Sequence, residues 1–73
     1  MATATPNQLV DQIGETAGQV WRSLHDNGPL SVTKLIKQLD VSRDLVMQAI
    51  GWLAREDKIE IEERNRVRIV WLK

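Results

Sequence analysis

The side chains of this chain that could take part in chemistry are mostly basic, and they are unevenly placed. Ten Lys and Arg balance ten Asp and Glu, so the formal net charge is zero. Nine of the ten bases nevertheless follow Thr33, and Arg64 and Arg66 form the most basic point of the chain. Guanidinium and ammonium groups bind phosphate oxygens, so this placement is compatible with a polyanionic partner. The neutral total counts against tight binding of that kind, because nucleic-acid-binding proteins usually carry excess positive charge.

Catalytic and metal-binding groups are scarce. The sequence contains no cysteine, and its single histidine, His25, cannot form a metal site by itself. It also lacks a glycine-rich phosphate loop and a convincing pair of acidic residues. We therefore predict that the protein is not an enzyme and takes no metal, cofactor or small-molecule ligand. His25 falls near the predicted end of a helix, where a capping or solvent-exposed role is expected.

The length allows one domain and one core. With 73 residues, such a chain buries only about 60% of its extended surface. We predict a disordered N-terminus at residues 1–4 and a single domain at residues 5–73. No apolar run approaches the roughly 20 residues that cross a bilayer, and the N-terminus lacks the pattern of a signal peptide. These features predict a cytoplasmic protein without a membrane partner.

The element best suited to position a binding site is a helix that follows Val41. Ser42 is a good N-cap, and Asp44 suits the positive end of the helix dipole. The apolar residues recur at i, i+3, i+4 and i+7, which predicts a buried face formed by Val46, Ala49, Ile50 and Leu53. The opposite, exposed face is predicted to carry Asp44, Met47, Gln48, Gly51 and Arg55.

Another helix is predicted at the start of the chain. Thr5-Pro6-Asn7-Gln8 has the pattern of a capping box, and Gly28-Pro29 ends the helix after His25 or Asp26. Its apolar stripe is predicted to bury Leu9, Ile13, Ala17, Val20, Trp21 and Leu24. Gly14 and Gly18 lie four residues apart inside this helix, which indicates either a close helix contact or simply a weaker N-terminal half.

A short helix is predicted between these two. Leu30, isolated after Pro29, fits either a very short third strand or an extended linker. Ser31 is a good N-cap for the helix that follows. That helix is predicted to bury Leu35, Ile36 and Leu39 and to expose Lys34 and Lys37. A helix of about two turns, a tight turn and a longer capped helix make a helix-turn-helix pattern.

After Lys58 the apolar period changes from 3.6 to 2 residues, which predicts a β-hairpin. Placing Ile61 opposite Ile69 requires a three-residue loop, Arg64-Asn65-Arg66. This register predicts an ion pair between Glu62 and Arg68 and leaves Arg64 and Arg66 without an obvious partner. It also places Val70 and Leu72 on the solvent side of the hairpin.

Three helices, the last two in helix-turn-helix order, and a final hairpin resemble a winged helix-turn-helix domain. The resemblance rests on PLSVTKLIKQLDVSRDLVMQAIGWLAREDKIEIEE and covers residues 17–72. It implies an α+β fold, mainly α, with three helices followed by a two-stranded β-hairpin wing. The Gly51-Trp52-Leu53-Ala54-Arg55-Glu56 run and the small size more narrowly resemble stand-alone bacterial winged-helix proteins of uncharacterised function.

The resemblance implies a set of DNA-binding residues. In winged-helix DNA-binding proteins the third helix enters the major groove, the second helix meets phosphates, and the wing reaches the minor groove or the backbone. Carried over to this sequence, the set is Ser31, Thr33 and Lys34 at phosphates, Ser42, Arg43, Asp44, Met47 and Gln48 at the third helix, and Arg64 and Arg66 on the wing. On the recognition face of the third helix Asp44 repels phosphate, and only Arg43 and Gln48 offer bidentate base contacts.

Two functions from different classes stay open. One is a winged-helix protein of the transcription-regulator type that binds double-stranded DNA as a homodimer. The other is a protein-interaction or homodimerisation module without DNA binding, which the neutral charge favours. Its predicted partner interface is an exposed apolar patch formed by Met47, Gly51, Trp52, Val70 and Leu72.

Overall fold

The computed structural model describes residues 5–73, with side chains from residue 8 onward. The predicted disordered segment, residues 1–4, and the side chain of the predicted N-cap Thr5 lie outside the described part. The described residues form α1 (Thr5–Asn27), β1 (Leu30–Ser31), α2 (Val32–Leu39), α3 (Arg43–Arg55), β2 (Ile59–Arg64) and β3 (Val67–Leu72). This architecture confirms the predicted winged helix-turn-helix plan. It also resolves the alternatives for Leu30, which forms a very short strand.

The end of α1 and the starts of α2 and α3 follow the predicted capping chemistry. Gly28 adopts a φ of 80° and donates its N–H to the Leu24 carbonyl at 2.8 Å. Ser31 Oγ accepts the Lys34 N–H at 3.1 Å, and Ser42 Oγ accepts the Leu45 N–H at 3.2 Å. Each hydroxyl satisfies a backbone donor that has no partner within its helix. The starts of α2 and α3 are therefore determined by local interactions.

The core lies where α1, α3 and the sheet meet around α2. Its fully buried side chains include Leu35, Val46 and Ala49, each with 0% exposure, and the whole predicted buried face of α3 is confirmed. The buried residues are Ala17, Val20, Leu24, Leu30, Val32, Leu35, Val46, Ala49, Ile50, Leu53, Ile59 and Val70.

The predicted buried stripe of α1 was wrong at two positions, since Leu9 is 61% exposed and Trp21 is 40% exposed. Thr16 and Ser23 are buried instead, and both hydroxyls have hydrogen-bond acceptors: the Gln12 carbonyl at 2.8 Å and Gln38 Oε1 at 2.6 Å. A satisfied hydroxyl is tolerated in a core. Leu9 is exposed because α1, about 35 Å long, extends beyond the rest of the fold.

The sheet has the order β1-β3-β2, and both pairs are antiparallel. The predicted hairpin register was wrong. Arg64 pairs with Val67 and Ile61 with Val70, so the turn has only the two residues Asn65 and Arg66. Both have positive φ values, 53° and 69°. Two-residue turns with positive φ at both positions match the right-handed twist of a hairpin, and Asn at the first position favours them.

The observed register reverses which side of β3 faces the core. Val70 lies between Leu30 and Ile61 in the sheet and has 0% exposure, whereas Val67 is 46% exposed. Leu72 also packs partly against the core. The prediction that Val70 and Leu72 lie on the solvent side was therefore wrong, and Val70 offers no surface to a partner.

Candidate nucleic-acid interface

A cleft opens between the start of α2, the start of α3 and the wing. Its volume is about 260 Å³. Its lining residues are Ser31, Val32, Thr33, Arg43, Glu63, Arg66, Val67 and Arg68. The pairing of Ser31 with Ile69 holds the start of α2 beside the wing. Asp40, at a φ of 54°, donates its N–H to the Ile36 carbonyl, and the chain then turns into α3 beside the same cleft.

The cleft is electropositive because its charged side chains are three arginines and one glutamate. Arg68 Nε donates to Glu63 Oε1 at 3.3 Å, so this pair is largely self-neutralised. Among the side chains of residues 8–73, neither Arg43 nor Arg66 lies within 4.0 Å of an acidic group. Two guanidinium groups from different elements are thus left to bind an anion.

The remaining predicted wing residue, Arg64, has a different environment. It lies on the opposite face of the hairpin from Arg68, and its Nη2 donates to Glu62 Oε2 at 3.0 Å. The predicted pairing of Glu62 with Arg68 was therefore wrong, because the two-residue turn places Arg68 opposite Glu63. Sequence reasoning missed Arg68 as a cleft residue for the same reason. The missed signal was Asn65, which favours a two-residue turn formed with Arg66 and closed by the pair Arg64 and Val67.

The other predicted DNA-binding residues lie in the segment from β1 to α3. Ser31, Thr33 and Arg43 line the cleft, and Lys34, exposed on α2, follows Thr33 in the chain. Ser42 is exposed, while its hydroxyl caps α3. Asp44 and Gln48 are exposed on the outer face of α3, whereas Met47 is half-buried and packs partly against the core. The structure thus brings four of the ten predicted residues, Ser31, Thr33, Arg43 and Arg66, to one cleft and limits what Met47 can contact.

Gly51 lies on this exposed face of α3. A Cβ added to it would meet no heavy atom within 4 Å, so the packing of the chain does not require glycine there. Glycine inside a helix costs about 1 kcal/mol relative to alanine. The absence of a side chain leaves room for another molecule to approach the backbone of α3 closely.

The predicted partner interface is not one exposed surface. Val70 is buried, and Met47 and Leu72 pack partly against the core. Trp52, 36% exposed, lies beside α1, where an added Cβ on Gly14 would meet its ring at 3.8 Å. Gly14 thus lies at a helix contact of ordinary spacing, while Gly18 has open space around it.

No helix in residues 5–73 is both long and apolar enough to cross a membrane. In the same part of the chain, no three His, Asp or Glu side chains lie close enough together to hold a metal ion.

Comparison with solved structures shows the same fold elsewhere. The protein BT2368 from Bacteroides thetaiotaomicron superposes with a TM-score of 0.77 and 32% identity, over 85% of this chain and 76% of that one. HlyU from Vibrio cholerae superposes with a TM-score of 0.75 and 22% identity, over 100% of this chain and 82% of that one. The transcriptional regulator HlyU from Vibrio vulnificus superposes with a TM-score of 0.75 and 24% identity, over 96% of this chain and 74% of that one. At these identities the HlyU proteins show the fold alone.

Comparison of sequences identifies the family. The uncharacterized protein MJ1608 of Methanocaldococcus jannaschii is 34% identical over 64 residues, which cover 85% of this chain and 91% of that protein. The family model described as a winged helix-turn-helix domain (DUF2582) matches residues 8–72. This match covers nearly the whole chain. The chain therefore belongs to the DUF2582 family of winged helix-turn-helix domains.

Proposed function

We propose that this protein is a winged-helix transcription regulator that binds double-stranded DNA. In the complex, α3 lies in the major groove and the cleft contacts the phosphate backbone. The observation that carries the proposal is the convergence of Arg43 and Arg66 on one cleft without an acidic partner in residues 8–73. Arginines placed this way bind phosphate oxygens with charge-assisted hydrogen bonds. The fold shared with the transcriptional regulator HlyU of Vibrio vulnificus is consistent with this role.

The dimensions and chemistry of α3 suit the major groove. Its 13 residues span about 20 Å, and the groove is about 12 Å wide, enough to admit a helix. Gln48, exposed on the outer face, carries the amide that pairs with adenine in two hydrogen bonds. Gly51, one turn further, lets the helix backbone approach the bases. Asp44 disfavours phosphate and suits a base-edge contact, since its carboxylate accepts from the cytosine amino group.

The turn conformation gives independent support. Arg66 has a φ of 69°, a region in which glycine is favoured and a long side chain is strained. At this turn position the sequence Asn-Gly would be preferred for hairpin stability. An arginine at this position adds backbone strain to the turn, which supports a role for its charge other than folding.

The first test is an NMR titration of the labelled full chain with a mixed-sequence DNA duplex at low and moderate salt. We expect shifts at the cleft and α3, in particular at Thr33, Arg43, Gln48 and Arg66, and we expect them to fade as salt is raised. Residues on the exposed side of α1, such as Gln19, serve as an internal control. Absence of shifts even at low salt would overturn the proposal and favour the protein-interaction alternative, which the zero net charge supports.

Replacing Arg66 by glycine separates folding from binding. We expect Arg66→Gly to raise the free energy of unfolding by up to about 1 kcal/mol, because glycine adopts a positive φ without strain. The same variant should weaken DNA binding, because it removes one of the two free guanidinium groups of the cleft. Urea denaturation and fluorescence anisotropy measure the two effects. Asn65→Gly is the matched control, since it changes the same turn without removing charge; equal DNA affinity of Arg66→Gly and wild type would remove Arg66 from the interface.

A further inference from the structure

A second groove lies on the side of the molecule away from the wing, between α1 and the end of α3. It has a volume of about 260 Å³, and its lining includes Gly14, Gly18, Trp21, Trp52 and Lys58. Trp21 stacks on His25 with ring centres 5.0 Å apart and planes at 14°. Trp52 lies against Gly14. Both indole rings are thus held by neighbours while 40% and 36% of their surface remains exposed.

The apolar surface continues along α1 beyond this groove. Val10 is 49% exposed and lies one turn before Gly14. Gly18 has no heavy atom within 4 Å of an added Cβ, so nothing within the chain explains the glycine. Residues 10, 14, 18 and 21 recur at intervals of three and four and therefore share one side of the helix. This side of α1 combines exposed apolar side chains with Gly18, whose open surroundings would let a side chain of another molecule come close.

We propose that a second copy of this chain covers the groove, with the two α1 helices packed antiparallel around a two-fold axis that crosses their exposed faces at the level of residue 16. In this arrangement the Trp52 ring that lies on Gly14 of one copy faces Gly18 of the other. Val10 then packs on Trp21 of the second copy, because positions 10 and 21 lie at almost equal distances on either side of the axis. The two-fold symmetry repeats each contact, so the surface complements itself.

Charge complementarity favours a second copy of this chain in the groove and an antiparallel orientation of its α1. Asp11 and Arg22 are both exposed, and neither has an ion-pair partner among the side chains of residues 8–73. Eleven residues at about 100° each place them only about 20° apart around the helix axis. The antiparallel arrangement therefore brings Asp11 beside Arg22 of the second copy, twice. In a parallel arrangement Asp11 of one copy and Arg22 of the other would lie at levels about 16 Å apart along the helices and could not pair.

The size of the contact predicts its strength. From Val10 to Arg22 each helix contributes a contact about 18 Å long. The area buried by such a contact is smaller than the roughly 800 Å² per partner of a standard protein interface. We therefore expect a reversible dimer that dissociates at roughly micromolar concentration. The inference does not rest on the proposed DNA binding, because the groove lies apart from the cleft and dimerisation is measured without DNA.

Sedimentation equilibrium of the full chain over a range of concentrations tests the proposal. Wild type should show a monomer–dimer equilibrium. Gly18→Leu should raise the dissociation constant of the dimer by about tenfold or more, because its side chain separates the two helices. Gly51→Leu is the matched control, since Gly51 is the other exposed glycine in a helix with open space around it, and this variant should dimerise like wild type. A monomeric wild type, or a Gly18→Leu variant that dimerises as well as wild type, would overturn the proposal.

A charge exchange tests the direction of packing. Asp11→Arg and Arg22→Asp should each raise the dissociation constant by about tenfold, because each places like charges together across the interface. The double variant Asp11→Arg/Arg22→Asp should restore most of the wild-type affinity, because the ion pairs re-form with exchanged partners. Circular dichroism checks that each variant folds. A double variant as weak as the two single effects combined would contradict the antiparallel arrangement.

Discussion

Replacing both Arg43 and Arg66 by glutamine is expected to lower the affinity for a DNA duplex by about 100-fold at low salt, roughly tenfold for each charged contact. The two guanidinium groups line the same cleft, and neither is neutralised by an acidic side chain of residues 8–73. Each phosphate contact also releases counterions. The plot of log K against log salt concentration should therefore become less steep by about 2. Fluorescence anisotropy with a labelled duplex at several salt concentrations measures both quantities.

The structure offers a matched control for this experiment. Arg55 lies in the last turn of α3, about 18 Å along the helix from Arg43. Arg55→Gln changes the net charge by the same amount as Arg43→Gln but leaves the cleft intact. If the two single variants lose affinity equally, the binding follows overall charge, and the cleft has no special role. Arg64→Gln should also have a smaller effect than Arg66→Gln, because Arg64 is paired with Glu62.

Replacing Val70 by aspartate is expected to unfold most of the protein. Val70 has 0% exposure and lies at the centre of the three-stranded sheet. An unpaired carboxylate at this position should cost about 4 kcal/mol or more, and a domain of this size has a total stability of the order of 5 kcal/mol. Far-UV circular dichroism and urea denaturation measure the loss. Val70→Ala, expected to cost about 2 kcal/mol, provides a graded variant whose stability is still measurable.

Val67→Asp is the internal comparison, because it is the same substitution in the same strand. Val67 is 46% exposed and lies on the other side of β3. We expect it to cost less than about 1 kcal/mol. In the register that pairs Ile61 with Ile69, the two results would be exchanged, since Val67 would then face the core and Val70 the solvent. The pair of variants therefore tests the hairpin register directly.

Local interactions explain what could be predicted from sequence. The N-caps at Ser31 and Ser42, the left-handed Gly28 and the buried face of α3 each depend on residues within a few positions of one another. Their energetics are those of a single turn or a single amphipathic helix. The order of the elements then leads to the winged-helix plan, and the resemblance of the sequence to that family adds to this prediction.

The candidate site was only partly predictable. Arg43 and Arg66 could be named from the resemblance, but Arg68 was missed. Arg64 was predicted to have no ion-pair partner, whereas it pairs with Glu62. These differences all follow from the length of the hairpin loop, which has two residues where three were predicted. Because side chains alternate between the two faces of a strand, shifting the register by one residue moves every side chain of β3 to the other face.

Sequence by itself determined the helix ends, the buried face of α3 and the presence of a wing, because periodicity and capping act over a few residues. Tertiary structure decided which face of β3 is buried, since that depends on Val70 meeting Leu30 across the sheet. It also decided that Trp21 stays exposed, because α1 packs through Ala17, Val20 and Leu24. The gathering of Ser31, Arg43 and Arg66 around one cleft likewise requires pairing between strands far apart in the chain, which no local pattern encodes.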